Sequence, residues 1–353
     1  MTQSPRSKLT LSGERTAVPA IETVEVISAI FRALGTSDNT ASVIAEHLTD
    51  TSLCGMESHG IMRTLQYAAQ MQNGYMLAAG EPEVVHRKSG AIEINGNDGS
   101  GIAAMHLAYA TGIDSAREIG VSALAIRNVG HTGRHGAFAD HAAERGFLTI
   151  CVGGGNRHSW PQVAPHGGAK GVLPTNPWCI GIPGGDHGPV VLDFATSKIA
   201  GGWIYAARSA GALLPEGCVI DRDGNPTRDP EDYFSGGAIL PSGEHKGYAL
   251  ALVAELIGEA MLGPSTTEGN WLLVTLDCSR FRDAPALHAA AEDVLSDLRN
   301  CPPAPGFDRV EIPGERERAH REASNGVAHV PEATWEQILD LAKSLGIEIG
   351  ALT

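Results

Sequence analysis

No stretch of this 353-residue chain approaches the run of about 18 apolar residues that a membrane span requires. Its polar opening, MTQSPRSKLTLSGERT, lacks the apolar core of a secretory signal. Together these absences lead us to expect a cytoplasmic protein. The six cysteines, Cys54, Cys151, Cys179, Cys218, Cys278 and Cys301, contain no CxxC pair, which argues against a disulfide framework and a structural zinc site. Fourteen histidines raise the question of a metal-dependent hydrolase, but no HExxH or comparable ligand spacing occurs, so we expect no metal. Positive charge is also scarce. A net charge of −15 excludes nucleic acid as the expected partner, because phosphate binding needs a basic surface. A small anionic substrate is still allowed, since one arginine in a pocket can hold a carboxylate.

What remains is the composition of a folded globular protein, 42% hydrophobic and 19% charged, long enough for two domains. Residues 1–18 are polar and read as loose. Val24, Ile27, Ile30, Phe31 and Leu34 then recur at helical spacing until Gly35. A second helical stretch, TASVIAEHL, follows a Ser/Asp/Asn cluster suited to capping, and a third is expected from His59 to Met71. After Gly80 the texture changes to short β-rich runs at 91–95, 121–128, 147–152, 179–183 and 190–194, with helical patterns at 102–119 and 136–145. A long apolar helix, GYALALVAELIGEAML, precedes another strand, WLLVTLD. The end returns to helix, with Trp335, Ile338, Leu339, Ala342 and Leu345 on one face. We therefore expect an α/β domain over 81–287 and a helical domain assembled from 1–80 and 288–353.

Several motifs carry chemistry. Gly99-Ser100-Gly101-Ile102-Ala103-Ala104 matches the GxGxxA of a dinucleotide-binding loop. It lies after a helical region, INGNDGSG reads as a polar turn, and no second strand ending in an acid follows. A turn ahead of an ordinary helix is the expected reading. On a helix, His59, Arg63 and Tyr67 would share one face: a proton-transferring imidazole, a guanidinium to fork onto a carboxylate, and a phenol. A capped surface helix is the plain alternative. The loop His131-Thr132-Gly133-Arg134-His135 follows a strand and offers exposed N–H groups and charge for phosphate, unless it is simply a polar loop. Asp193, ending an apolar strand, is placed to orient a histidine.

In this order and at these separations, the motifs resemble the malate/L-lactate dehydrogenase family of the non-Rossmann type. They are SHG-x-x-R from Ser58, RN-x-x-H-x-G from Arg127, APxGG from Ala164, TNP from Thr175, VVLD-x-ATS from Val190, DGNPT from Asp223, LP-x-G-x-HKGY from Leu240 and PGE from Pro313. The resemblance spans about residues 22 to 345 and implies a homodimer of α/β (α+β) subunits. Each would have a non-Rossmann cofactor domain with a mixed sheet and a helical domain built from both chain ends. It implies NAD or NADP as cofactor and a 2-oxo acid/2-hydroxy acid pair as substrate, or alternatively a cyclic 2-imino acid. A more remote alternative keeps the fold as an inactive binding protein, against the intact Ser58, His59, Arg63 and Asp193.

By the same resemblance His59 is the proton donor, Ser58 and Asp193 support it, and Arg63 binds the substrate carboxylate. His131 is the second candidate for the acid. The cofactor would lie against His131, Thr132, Gly133, Arg134, His135, Thr175, Asn176 and Pro177, and along Thr227, Arg228, Pro313, Gly314 and Glu315. Tyr67 would line the substrate site. One departure is particular to this chain. Gly153-Gly154-Gly155-Asn156-Arg157-His158-Ser159-Trp160 carries about four extra residues beside the expected pocket, where a loop tolerates insertion. If it reaches the substrate, Arg157 favours a polar or acidic tail and Trp160 limits pocket width.

Overall fold

The computed structural model describes residues 14–88, 90–209 and 211–348. The segment through residue 13, most of the stretch read as loose, lies outside the described residues. Residues 15–18 were expected to be loose but begin a strand, β1 (Arg15–Pro19). It leads into α1 (Ala20–Ala33), α2 (Asp38–Leu53) and α3 (Arg63–Gln72). Val26, Ile27, Ile30 and Phe31 are fully buried on one face of α1. Ser37 caps α2 by accepting the Thr40 N–H at 3.1 Å.

The third helix begins later than its periodicity implied. Glu57–His59 form a single 3-10 turn, Gly60 takes an extended conformation, and α3 starts at Arg63. A Cβ on Gly60 would sit 2.1 Å from Ser52 Oγ, so α2 forces the chain to turn there. His59 and Arg63 therefore do not share a helix face.

The central domain opens with β2 (Glu83–Lys88), β3 (Ala91–Gly99), α4 (Gly101–Ile119), β4 (Val121–Val129), α5 (His135–Glu144), β5 (Phe147–Gly154), β6 (Trp178–Gly185) and β7 (Gly188–Phe194). β3 pairs in parallel with β4 across α4, so the polar stretch before Gly99 is strand rather than turn. The glycines of GSGIAA nonetheless serve packing. A Cβ on Gly99 would lie 1.9 Å from Gly80 O, and one on Gly101 2.1 Å from Gly130 O. Backbone occupies the space that a Rossmann pyrophosphate would need.

A small lobe not foreseen from sequence follows: α6 (Gly201–Ser209), β8 (Val219–Ile220), β9 (Pro226–Thr227), α7 (Pro230–Phe234) and β10 (Ala238–Ile239). It has its own core of Val163, Leu173, Ile204, Leu214, Val219 and Ile239. α8 (His245–Glu255) then runs into a π turn, Leu256–Met261. β11 (Gly269–Asp277) completes the sheet by entering between β4 and β5, giving the order β2-β3-β4-β11-β5-β6-β7. Among its pairings only β3–β4 is parallel, so this is a mixed sheet and not a doubly wound one.

The chain ends with α9 (Ala284–Arg299), α10 (Glu315–Ser324), β12 (Val327–Pro331) and α11 (Glu332–Ser344). α9 packs on β6, so the expected boundary at 287/288 falls inside a helix of the sheet domain. β12 pairs antiparallel with β1, Arg15 opposite Pro331 through Pro19 opposite Val327. Val18, Val330, Trp335 and Ile338 join α1, α2 and Tyr67 in one helical core. Both ends of the described chain thus build the helical lobe.

Candidate active site

The 3-10 turn and α3 bring the helical lobe's polar residues against the loop after β4. Ser58 Oγ lies 2.9 Å from His59 Nδ1. Arg63 Nε donates to Ser58 O at 2.6 Å, and its Nη1 donates to Gln66 Oε1. The His59 and His131 rings stand 5.5 Å apart. Tyr67 turns its hydroxyl to His131 Nδ1 at 2.6 Å, so it touches the second histidine and is 1% exposed. The backbone N–H of Gly133 also donates to that nitrogen, at 3.2 Å. Nδ1 must then accept, and the neutral ring carries its proton on Nε2.

Electrostatically the cluster favours neutral imidazoles. Burial, then Arg63 and Arg134, pulls His59 from 6.5 down to about 4. Burial and Arg63 hold His131 well below its ordinary range. Burial takes His135 down to about 3. Arg63 has no carboxylate within ion-pair distance among the described residues, although its charge reaches both His59 and His131. His59, Arg63 and His131 are thus gathered at one place, as the sequence implied.

One expectation about the surroundings needs correction. Asp193 makes no hydrogen bond to His59 among the described residues. Its Oδ2 accepts the Gly136 N–H at 2.6 Å, because β7 ends over the N-terminus of α5. Burial raises this carboxyl, while the Gly136 N–H and Arg134 oppose the rise. In the loop from His131 to His135 several donors meet protein partners. Its Gly133 N–H is taken by His131 Nδ1, the Arg134 N–H by His47 Nε2 at 3.0 Å, and Thr132 Oγ1 lies 2.8 Å from His135 Nε2. The Arg134 guanidinium is bound to Asp50 at 3.1 Å and to Cys54 Sγ. His135 stacks on Trp271 at 4.1 Å. The loop is a joint between the lobes, with the Gly133 and Arg134 N–H groups taken up by histidine nitrogens.

The remaining candidates divide. Thr175 O accepts from both Thr196 N and Oγ1 at 2.9 Å, and Thr196 O accepts from Ser242 N, which ties the Thr175-Asn176-Pro177 turn to the start of α8. Asn176 is 1% exposed, donates to Glu255, and leaves Oδ1 buried without a partner. Thr227 is occupied by Asp232 and Arg228 by Leu214 O. Pro313 O accepts from Val191 N, Gly314 packs on Val191, and Glu315 is held by Arg299 at 2.8 Å.

The inserted loop is anchored rather than free. Arg157 grips Glu259 on the π turn with two hydrogen bonds of 2.7 and 3.0 Å. The glycines before it permit backbone contact, since a Cβ on Gly154 would lie 2.3 Å from Ala254 O. Glu255, 5% exposed, accepts from Gly155 N, Arg157 N and Asn176 Nδ2 and so pins loop and turn together.

Two features were missed in the sequence. Glu268, just before β11, sits between the inserted loop and α3, near Arg63, Tyr67, Gln70 and Tyr75. At the start of α8 stand His245 and Lys246, and the His166 ring lies 6.0 Å from that of His245. The HKGY motif was the available signal for the second; Glu268 had none, because its meaning depends on β11 lying beside β4.

A neutral histidine pair beside an uncompensated guanidinium, on a mixed sheet flanked by a helical lobe, is the equipment of an oxidoreductase. The chain belongs to the malate/L-lactate dehydrogenase family, whose profile matches residues 18–339. Hydroxycarboxylate dehydrogenase B of Escherichia coli is 32% identical over 339 residues, covering 91% of this chain and 92% of that protein. The fold matches sulfolactate dehydrogenase from Methanocaldococcus jannaschii with a TM-score of 0.85 at 27% identity, over 95% of this chain and 99% of the other. It also matches Δ1-piperideine-2-carboxylate reductase from Pseudomonas syringae, with a TM-score of 0.82 at 28% identity, over 93% and 100%.

Proposed function

We propose that this chain transfers a hydride between NAD or NADP and a 2-oxo acid/2-hydroxy acid pair, with His59 handling the proton. The observation that carries this reading is Arg63, a guanidinium without a protein carboxylate, beside two neutral histidines. A substrate carboxylate supplies the missing counter-charge. With Nδ1 engaged by Ser58, His59 exchanges its proton at Nε2. The serine hydroxyl accepts from Nδ1–H in both the charged and the neutral ring, which leaves Nε2 free to take up and release the proton. At neutral pH His59 is a base, suited to taking the proton of a 2-hydroxy acid. A carboxylate on Arg63 cancels one of the charges that depress His59 and eases protonation for reduction. His131, with its proton fixed on Nε2, is the second donor toward the carbonyl oxygen.

The chemistry supplied by the nicotinamide, when bound, is the hydride transfer itself. The residues present fit such a group along the turn at Thr175-Asn176-Pro177, where the unpaired Asn176 Oδ1 is an acceptor for an amide. His245 and Lys246 at the start of α8, with His166 beside them, suit its phosphates in a chain otherwise rich in acid. We read the protein as a cytoplasmic homodimer. Support for a second copy is the exposed apolar row Leu250, Val253, Leu256 and Met261 on α8 and the π turn. The same site serves a cyclic 2-imino acid, a reading favoured by the likeness to the Pseudomonas syringae reductase. The test is nicotinamide absorbance with NADH and NADPH against a panel of 2-oxo acids and cyclic 2-imino acids. Absence of turnover with every member of the panel sinks the reading.

A further inference from the structure

α3 lays Arg63, Tyr67 and Gln70 along one side, and Glu268 closes the far end of that row. The Gln70 side-chain nitrogen lies 3.5 Å from Glu268 Oε1, a long contact, and Tyr75 is a second partner, so the carboxylate's side-chain hydrogen bonds go to uncharged groups. Glu268 forms no ion pair within 4.0 Å among the described residues, with Arg63 or with any other cation. The segment is held rigidly in place: Glu268 N donates to Val129 O, and Glu268 O accepts from Asn156 Nδ2 at 2.7 Å. Tyr75 faces both Glu268 and the Trp160 indole, so the carboxylate has two half-exposed aromatic rings at its rim. Arg157, the residue that would have drawn an acidic tail, is turned away onto Glu259.

The site therefore presents two opposite fixed charges, unpaired with each other, both close enough to Tyr67 to act on its hydroxyl. We infer that Glu268 sets substrate specificity, selecting 2-oxo acids whose far end carries a cationic nitrogen over those ending in a second carboxylate. This rests on the preceding reading, in which Arg63 takes the carboxylate beside the keto group. A buried carboxylate meeting a substrate carboxylate is repelled and desolvated, whereas an amidinium or ammonium provides the partner that the protein withholds. The Trp160 and Tyr75 rings add attractive faces for the same cation. Geometry bounds the length of the substrate. Seven residues of helix separate Arg63 from Gln70, a rise of about 10 Å. Allowing about 3 Å for a hydrogen bond at each end leaves a span of roughly three to five bonds between the two groups.

The experiment compares kcat/KM for 2-oxo-5-guanidinopentanoate, its uncharged isostere 2-oxo-5-ureidopentanoate, 2-oxoglutarate and 2-oxopentanoate, on the wild type and on Glu268→Gln. The wild type is expected to favour the guanidino acid over 2-oxoglutarate by about 100-fold or more, and over the ureido acid by about tenfold. Glu268→Gln, which keeps shape and removes charge, should cut the guanidino value at least about tenfold, mainly through KM, and leave 2-oxopentanoate within about threefold. Equal use of guanidino acid and 2-oxoglutarate by the wild type overturns the inference while leaving the dehydrogenase reading intact. So does a preference that survives Glu268→Gln. If no 2-oxo acid is turned over at all, the dehydrogenase reading itself has failed and this inference falls with it. A thermal melt of Glu268→Gln matching the wild type shows that any loss is not misfolding.

Discussion

The seam between the lobes should make this protein acid-labile. His47, His59, His131 and His135 all meet there, and burial holds each of them below the ordinary imidazole value of 6.5, His59 at about 4 and His135 at about 3. In the unfolded chain they titrate near 6.5, so as pH falls the unfolded state binds protons that the folded state refuses. Their contribution to stability is complete above about pH 7 and drains away as pH drops through the unfolded value. Each such histidine costs a little over about 1 kcal/mol between pH 7.5 and 5.5, and four together cost about 5 to 6 kcal/mol. Asp193 and Glu268, whose carboxyls burial pushes upward, take up protons in the folded state and offset part of this. A net loss of several kcal/mol is a large fraction of a domain's stability. The measurement is the urea midpoint by circular dichroism at pH 7.5, 6.5 and 5.5, for the wild type and for His135→Asn. The variant loses the stack on Trp271 and starts lower, but its pH dependence should be shallower by about a quarter. A wild-type midpoint that stays level from pH 7.5 to 5.5 would refute the reasoning.

Other outcomes test individual residues. His59→Ala should lower kcat by about 10²–10⁴-fold with nicotinamide affinity retained; near-normal turnover there, with loss in His131→Ala, moves the proton donor to His131. Arg63→Lys should reduce kcat/KM for a 2-oxo acid more than about tenfold, because Lys lacks the fork, and an unchanged value means another cation holds the carboxylate. Arg157→Ala should leave the ranking of substrates unaltered and barely move an unfolding titration, since its exposed pair with Glu259 is screened by solvent. Gly154→Ala should cost about 3 kcal/mol or more, because its Cβ would lie 2.3 Å from the Ala254 carbonyl, and a wild-type melting temperature would show that loop and helix can part freely.

The central sheet was legible because its strands are short apolar runs between glycines, and β3 to β7 and β11 lie where alternation and β-branching placed them. The helical faces of α1 and α11 were equally plain. β1 was not, because RTAVP has no pattern of its own and owes its form to partners some 300 residues away. The small lobe escaped because its strands are two residues long. In the site, Ser58, His59 and Arg63 could be found from a compact motif, but the helix assumed to carry them was broken by the packing of Gly60 on Ser52. Asp193, the His131 loop and Arg157 were read by residue type. Their nearest partners, Gly136, His47 and Glu259 respectively, depend on the fold and could not be read that way.

The pairing of β1 with β12 makes the helical lobe a clasp that shuts only when distant parts of the chain have met. Joining segments some 300 residues apart costs about 5 kcal/mol of loop-closure entropy unless the intervening sheet domain has already drawn them together. The order of events on the ribosome follows. The sheet domain can fold first, while β1 and its helices wait for residues 327–331 to emerge. His59 arrives with the waiting helices and His131 with the finished sheet. The two histidines therefore face each other only after the clasp has closed, and a nascent chain stopped short of β12 should hold a folded sheet with no assembled proton-transfer pair.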